Sequence, residues 1–416
     1  MFAKHGTGKA MAMTADPTNL AEHGAAARRR FLECIVILLL GVTAGLQLGK
    51  IAPVVGLLQH VHGHSLTAIG WLTALIGLFV ALAALPTAKL VDRIGALSAT
   101  KIGAVVLTAG AWLLPLFDTL ALQLTARTVE AVGYVLLVIT APAYLVAHAV
   151  PGQRPMMLAL WGSFVPVGYA LANIQANVVV TAFGHNAFLF SAALPLTFLT
   201  LAALLWVHDS ETVREQTQTA RPDGPKTSGR GTIGDAVLLA ACFGVYVLLS
   251  LGFFTFLPAF AERTSGTLPP ATVALFVPAG NMLAAFLLAL LSARHAPLLV
   301  LVGFAFSAFS ALFLFHPAET PALLFYLAFA FLGGLIASAV FGSVPQAASP
   351  NLPAVLVIGM IAQAGGLGTL AGPPLAGFVL DTLGWHALTG LLTGLSVLGA
   401  MLVLPILFRS ARMRPP

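Results

Sequence analysis

Apolar runs recur along this chain, each long enough for a helix to cross a bilayer, and short polar connectors separate them. A membrane-crossing helix takes about 20 predominantly apolar residues. Twelve segments meet that length: 31–57, 67–88, 99–117, 119–147, 155–180, 186–207, 234–260, 268–292, 297–315, 320–344, 353–380 and 385–408. The exceptional connector is 208–233, HDSETVREQTQTARPDGPKTSGRGTI, which is polar and rich in Pro, Gly and Thr and reads as a flexible linker. The pattern predicts an all-α membrane protein with a tail at 1–30, a six-helix bundle at 31–207, the linker, a second six-helix bundle at 234–408 and a tail at 409–416. Residues 1–27 are small and polar and are expected to be disordered. The first apolar run is too long and too far into the chain for a secretory signal.

Composition agrees. Hydrophobic residues make up 59% of the chain and charged ones only 8%, against about 25% charged in a soluble domain. A soluble enzyme, a nucleic-acid-binding domain and a disordered chain are all excluded. The pI near 9.6 follows from 20 basic against 14 acidic residues, and their placement explains it. Lys4, Lys9, Arg28, Arg29, Arg30, Lys89, Arg93, Lys101, Arg154, Arg214, Arg221, Lys226, Arg230, Arg294, Arg409, Arg412 and Arg414 all fall on one side if the N-terminus is cytoplasmic. Arg263 alone lies outside, and Lys50 and Arg127 fall within spans. Cytoplasmic loops are enriched in Lys and Arg, so both termini are expected in the cytoplasm and no nucleic-acid partner is implied. Cys34 and Cys242 sit in apolar runs and read as free, buried thiols.

The two halves echo each other, as duplicated transporters do. Ala52-Pro53 ends the first span and Leu257-Pro258 the seventh. AKLVDRIGAL (88–97) follows the second span, and LSARHAP (291–297), which keeps Arg294 and loses the Asp, follows the eighth. GSFVPVG (162–168) in the fifth is matched by GGLGTLAGPPLAG (365–377) in the eleventh.

At these residues a family resemblance emerges. Ala88-Lys89-Leu90-Val91-Asp92-Arg93-Ile94-Gly95 resembles the loop signature of the major facilitator superfamily, G-x-L-a-D-r-x-G-r-k, with Ala88 in place of the first Gly and Ala96-Leu97 in place of the basic pair. Arg127-Thr128-Val129-Glu130-Ala131-Val132-Gly133 resembles the family's R-x-x-q-G pattern. GPPLAGFVLDTLGW (372–385) is also similar to a frequent family pattern, and ALWGSFVPVGYAL (159–171) resembles the cyanate and nitroimidazole permease-like bacterial branch. The resemblance implies two bundles rocking about a central site in a bacterial inner membrane, with the Asp92, Arg93 and Gly95 turn stabilising one of the two states.

Charge at bilayer depth is costly and by default marks function. Arg127 and Glu130 fall near the midplane of the fourth span. Lys50 lies in the outer half of the first, one turn after Gln47. The resemblance allows all four to face one pathway. Aligning the repeats puts Leu327 opposite Arg127, Ala330 opposite Glu130 and Thr255 opposite Lys50, so the second half lacks a central charge. Its polar candidates are Tyr246, Asn281, Ser338 and Gln363. A cavity cationic on one side and apolar on the other suits a small organic anion, with Arg127 gripping a carboxylate in fork geometry, Lys50 adding field and Glu130 as the proton-coupling group. Two plainer readings stand beside this: Arg127 and Glu130, spaced i,i+3, pair only with each other, and Lys50 snorkels outward. Trp71, Trp112 and Trp161 are expected to pack or anchor, and Asn173, Gln175 and Asn177 to bond between helices.

Gly41-x-x-x-Gly45 and Gly368-x-x-x-Gly372 are expected to serve close helix packing, and Pro373-Pro374, beside Gly372, to kink the eleventh helix as a gate. His60, His62 and His64 alternate in the first outside loop without a carboxylate or thiolate nearby in sequence, so no metal site is expected there. The chain has no phosphate-cradling G-x-x-x-x-G-K-[ST], no H-E-x-x-H and no G-x-S-x-G. It is therefore read as a non-enzymatic, cofactor-free, monomeric secondary transporter in contact with membrane lipids, carrying a small organic anion inward with protons. Efflux of amphipathic compounds is the alternative, although the exporter pattern G-x-x-x-G-P-x-x-G-G is missing from GSFVPVGYALA. Transport of a metal or siderophore is the third.

Overall fold

The structure is a computed structural model that describes residues 17–148, 157, 160–208, 231–264, 268–291, 293–316, 323–349, 351–352 and 354–412. Among them are twelve long helices: α1 (Pro17–Gly49), α2 (Leu66–Ile94), α3 (Ala96–Leu113), α4 (Leu120–His148), α5 (Phe164–Phe183), α6 (His185–Trp206), α7 (Ile233–Arg263), α8 (Pro270–Leu291), α9 (Ala296–Ala311), α10 (Leu323–Gly342), α11 (Ala354–Leu383) and α12 (Trp385–Arg412). Eleven helices are long and apolar enough to cross a membrane, and α9 is a shorter apolar helix. No strand occurs among the described residues, only an isolated bridge between Ser349 and Leu352. The linker expected at 208–233 falls, apart from its two ends, outside them.

Three departures from the sequence reading have local causes. The helix α1 begins at Pro17, so part of the stretch expected to be disordered is helical. Proline is pre-organised for a first helical position, and the Ala, Leu and Arg that follow favour helix. At its other end α1 stops at Gly49, short of the expected 57, and the chain continues as a 3₁₀ turn (Ala52–Val54) and a short helix (Val55–His60). Pro53 donates no N–H, and its ring clashes with the carbonyl four residues back, that of Gly49. By contrast, α11 runs unbroken from Ala354 to Leu383 with Pro373 and Pro374 inside it. The proline pair does not end the helix, and the surface it exposes is used for packing.

Turns between paired helices need a residue in the left-handed region. Gly95 (φ 84°) joins α2 to α3, as its place in the loop motif suggested. Gly184 (φ 81°) and Gly384 (φ 80°) join α5 to α6 and α11 to α12, a further correspondence between the halves. The small-residue stripes act as packing surfaces. A Cβ on Gly168 of α5 would lie 2.6 Å from Gly45 Cα of α1, and one on Gly368 of α11 would lie 2.9 Å from Leu248 N of α7. Both thiols are free and buried.

The two halves meet along α2 and α11, which run antiparallel. A Cβ on Gly377 would lie 2.7 Å from the Leu66 carbonyl carbon, one on Gly70 2.6 Å from Pro373 O, one on Gly77 2.5 Å from Leu370 N, and one on Gly366 2.7 Å from Ala81 N. From Leu66 to Ala81 this contact covers about 22 Å of helix.

Candidate functional site

The end of α1 creates the site. Where a helix stops, its last four carbonyls lack intrahelical partners, and the C-terminus favours positive charge. Leu46 O is taken by Lys50 N at 2.8 Å. Gln47 O is taken by Arg127 of α4, whose Nη1 donates at 2.9 Å. Arg127 Nε donates to Leu72 O of α2 at 2.7 Å, and Arg127 Nη1 also pairs with Glu130 Oε2. Lys50 Nζ donates to Glu130 Oε1 at 2.6 Å and to Gln47 Oε1 at 2.8 Å, while Gln47 Nε2 donates to Ala192 O of α6 at 2.7 Å. Four helices thus converge on one carboxylate that bridges two cations.

The side chains of Lys50, Arg127 and Glu130 are fully buried (0% exposed). Snorkelling of Lys50 is therefore overturned: with the helix ended at Gly49, its ammonium turns inward to Glu130 and Gln47. An Arg127–Glu130 pair exists, but Lys50 shares its carboxylate. Glu130 also lies near the middle of the apolar segment Leu120–Pro142, close to the depth expected for it. The fork geometry expected of Arg127 changes, because Nε and Nη1 are engaged with Leu72, Gln47 and Glu130. Nη2 is buried with no protein partner.

The second-half candidates stand apart. No hydrogen bond among the described residues joins Tyr246, Asn281 or Gln363 to this group. Asn281 Nδ2 instead donates to Ser163 Oγ at 3.3 Å, tying α8 to the start of α5. Tyr246 packs on Phe243 at 5.6 Å between ring centroids, and Gln363 is half-buried on α11. Trp71 and Trp112 are 45% and 36% exposed, Trp112 Nε1 donating to Thr197 Oγ1 of α6 at 3.0 Å, and Trp161 stacks on Phe164 at 4.8 Å. Gln175 bonds between helices, to Ser191 at 3.0 Å, whereas Asn173 donates to Tyr169 O of its own helix.

Of the gating candidates, Arg93 is exposed in the last turn of α2, and the Asp92 side chain lies outside the described atoms. A contact between the halves that the sequence reading missed is made by Asp381 of α11. It accepts from Leu66 N at 3.1 Å, Thr67 N at 2.9 Å and Thr67 Oγ1 at 2.7 Å, capping the α2 N-terminus from the other half. Carboxylates are favoured at helix N-termini. The residue lies within the GPPLAGFVLDTLGW pattern, where spacing alone did not distinguish it. Replacing Asp381 with Ala removes this cap and is expected to lower stability by about 1–2 kcal/mol, with Asp381→Asn intermediate. Thermal unfolding of the purified variants checks both.

A carboxylate does approach the histidine loop, contrary to its isolation in sequence. Glu262 of α7 would be 2.7 Å from a Cβ on Gly56, and it interacts electrostatically with His60 and His185. His62 and His64 stack at 5.8 Å. No group of three metal-ligating side chains is found among the described residues.

The Major Facilitator Superfamily model matches residues 37–356, more than half of the chain. No curated protein matches the sequence. Two similar solved structures are of a bacterial homolog to the human lysosomal transporter Spinster. One, inward-facing and occupied, has a TM-score of 0.73 at 15% identity and covers 92% of this chain and 97% of that one. The other, inward-facing and unoccupied, has a TM-score of 0.63 at 17% identity and covers 92% and 96%. At these identities the likeness is one of fold. It does not single out the cyanate and nitroimidazole branch.

Proposed function

Because this chain belongs to the Major Facilitator Superfamily, a family of membrane transporters and not of enzymes, we propose that it is a secondary transporter coupling uptake of a small organic anion to protons, with Glu130 as the proton carrier. The observation that carries this reading is the buried Glu130 carboxylate shared by Lys50 and Arg127. With Glu130 ionised, the group carries one net positive charge. When Glu130 is protonated, both cations lose their partner, and the carboxylate of a bound monoanion restores the balance. The buried charge is then the same in the empty carrier and in the carrier loaded with one proton and one anion. That equality keeps the desolvation cost similar at both ends of the cycle, and buried charge is expensive when unmatched.

In this reading the Leu66–Asp381 end faces outward, both termini face the cytoplasm of a bacterial cell and the transporter acts as a monomer in the inner membrane, which the clustering of Lys and Arg supports. The Asp92, Arg93 and Gly95 turn and the Gly372, Pro373 and Pro374 stretch serve opening and closing, while Tyr246, Asn281 and Gln363 line the path in the second half once the halves part.

Charge balance makes a direct prediction. In proteoliposomes an inward proton gradient drives monocarboxylate accumulation, and imposing a membrane potential with potassium and valinomycin changes the initial rate by less than about twofold. A rate that follows the potential over the factor expected for one moving charge, about 2.3 kcal/mol per 100 mV, would sink the one-to-one scheme. Transport of hydrophobic cations with no response to carboxylates would sink the anion reading as a whole.

A further inference from the structure

Arg127 Nη2 in α4 is buried without a protein partner, and the Tyr169 hydroxyl in α5 and Thr255 Oγ1 in α7, buried where the halves join, have no partner but each other. The residues are 0%, 2% and 0% exposed. They share one region: Arg127 Nη1 holds Gln47 O, the Tyr169 ring packs on Gly49 two residues further along, and the Tyr169 hydroxyl meets that of Thr255 across the halves. Two belong to the first half and one to the second. Thr255 is also the residue that repeat alignment sets opposite Lys50.

The Thr255 hydroxyl is not turned back onto its own helix. A buried threonine in a helix commonly turns its hydroxyl back to the carbonyl one turn earlier. Thr43, Thr100 and Thr140 do so, at 2.8–2.9 Å. Thr255 and Thr73 do not. The Tyr169 ring is held by its neighbours: Gly49 of α1 leaves no room for a Cβ, which would lie 2.8 Å from Tyr169 Cγ, and Phe254 of the other half faces it at 6.1 Å. Buried polar groups normally fill their hydrogen-bonding capacity, so an unpartnered guanidinium nitrogen in the same region as two hydroxyls that have only each other points to a ligand with acceptor atoms.

We propose that Arg127 Nη2, Tyr169 Oη and Thr255 Oγ1 together form the recognition point for the substrate's carboxylate, one that is split between the halves and complete only when they close. The inference rests on the anion reading above and narrows it. Arg127 meets the anion through Nη2 alone, since its other donors are committed. The two hydroxyls serve the second carboxylate oxygen, and Phe254 takes the apolar body. Three donor groups fit a monocarboxylate, and with Glu130 protonated one anionic charge returns the group to the net charge of the empty carrier, which a dicarboxylate or phosphate dianion does not. Thr255 is the second half's contribution to the recognition point, so the bound anion itself draws the bundles together.

The test is a thermal-shift titration of the full-length protein in detergent against acetate, lactate, pyruvate, benzoate, succinate and inorganic phosphate. It compares wild type with Tyr169→Phe and Thr255→Val. The expected result is stabilisation of wild type by one or more of the monocarboxylates, with little effect of succinate or phosphate. Each variant then raises the Kd for that monocarboxylate about tenfold or more. A merely structural role lowers the ligand-free Tm and leaves the Kd unchanged. If wild type responds and both variants keep its Kd, the split subsite is overturned and the anion reading stands. If none of these anions stabilises wild type, the anion reading falls and the subsite with it.

Discussion

Glu130→Gln is expected to abolish proton-driven accumulation of the anion, by about a hundredfold or more, while counterflow of labelled substrate against unlabelled substrate persists. The amide keeps the size of the carboxyl and one acceptor, so Lys50 and Arg127 retain a neighbour. It cannot release a proton, however, so the carrier stays in the state that holds the anion and reorients only when loaded. Glu130→Ala differs in kind. It leaves two cations that are 0% exposed with no counter-charge, and breaking a buried pair in this way costs about 3–5 kcal/mol. The alanine variant is therefore expected to show a strongly lowered Tm, and the glutamine variant a smaller loss. Reconstituted counterflow set beside accumulation driven by a proton gradient separates coupling from binding. Accumulation by Glu130→Gln at the wild-type level would remove Glu130 from the proton path.

Arg127→Gln is expected to reduce anion uptake about a thousandfold, equivalent to about 4 kcal/mol. This side chain holds Leu72 O and Gln47 O, pairs with Glu130 and presents Nη2 to the ligand. Its removal leaves Lys50 paired with Glu130, a neutral couple, so the fold suffers less than in Glu130→Ala. The ordering of the two effects is itself informative: Arg127→Gln should be the larger defect in binding, and Glu130→Ala the larger defect in stability. Arg127→Lys is not expected to rescue transport, because one ammonium cannot replace a planar group that serves α1, α2 and α4 at once. Initial rates of uptake in proteoliposomes and the thermal unfolding of each variant check both statements. An Arg127→Gln protein that loses no anion uptake but still moves hydrophobic cations would support the efflux alternative.

Much of the site was legible before any coordinates. Lys50, Gln47, Arg127 and Glu130 stood out because polar groups at bilayer depth are rare and costly, and the structure places all four in one network. What was misread was mostly a matter of partners. Lys50 looked free to snorkel because sequence does not show that Pro53 ends α1 at Gly49 and that Glu130 waits across the gap. Arg127 looked free to fork onto a substrate because nothing in its own helix shows that Leu72 and Gln47 carbonyls will occupy it. Tyr246, Asn281 and Gln363 were chosen as the polar residues of the second half, yet Asn281 is turned to Ser163. Tyr169, absent from the candidate list, and Thr255, noted there only as the repeat partner of Lys50, emerge from the three-dimensional arrangement.

The sequence by itself determined that the chain is a membrane protein of twelve helices in two related halves and that Gly95 makes the turn after the second. These properties are local or additive: a run of about 20 apolar residues spans a bilayer wherever it occurs, and Gly95 adopts positive φ for reasons confined to its own turn. Only the tertiary structure decided that one carboxylate serves two cations, that Asp381 caps a helix of the opposite half, and that Arg127 Nη2 is left buried without a partner. Those pairings join residues up to hundreds of positions apart. Each is selected by the need to satisfy buried charge and hydrogen-bonding groups, a condition that can be met only once the helices are packed.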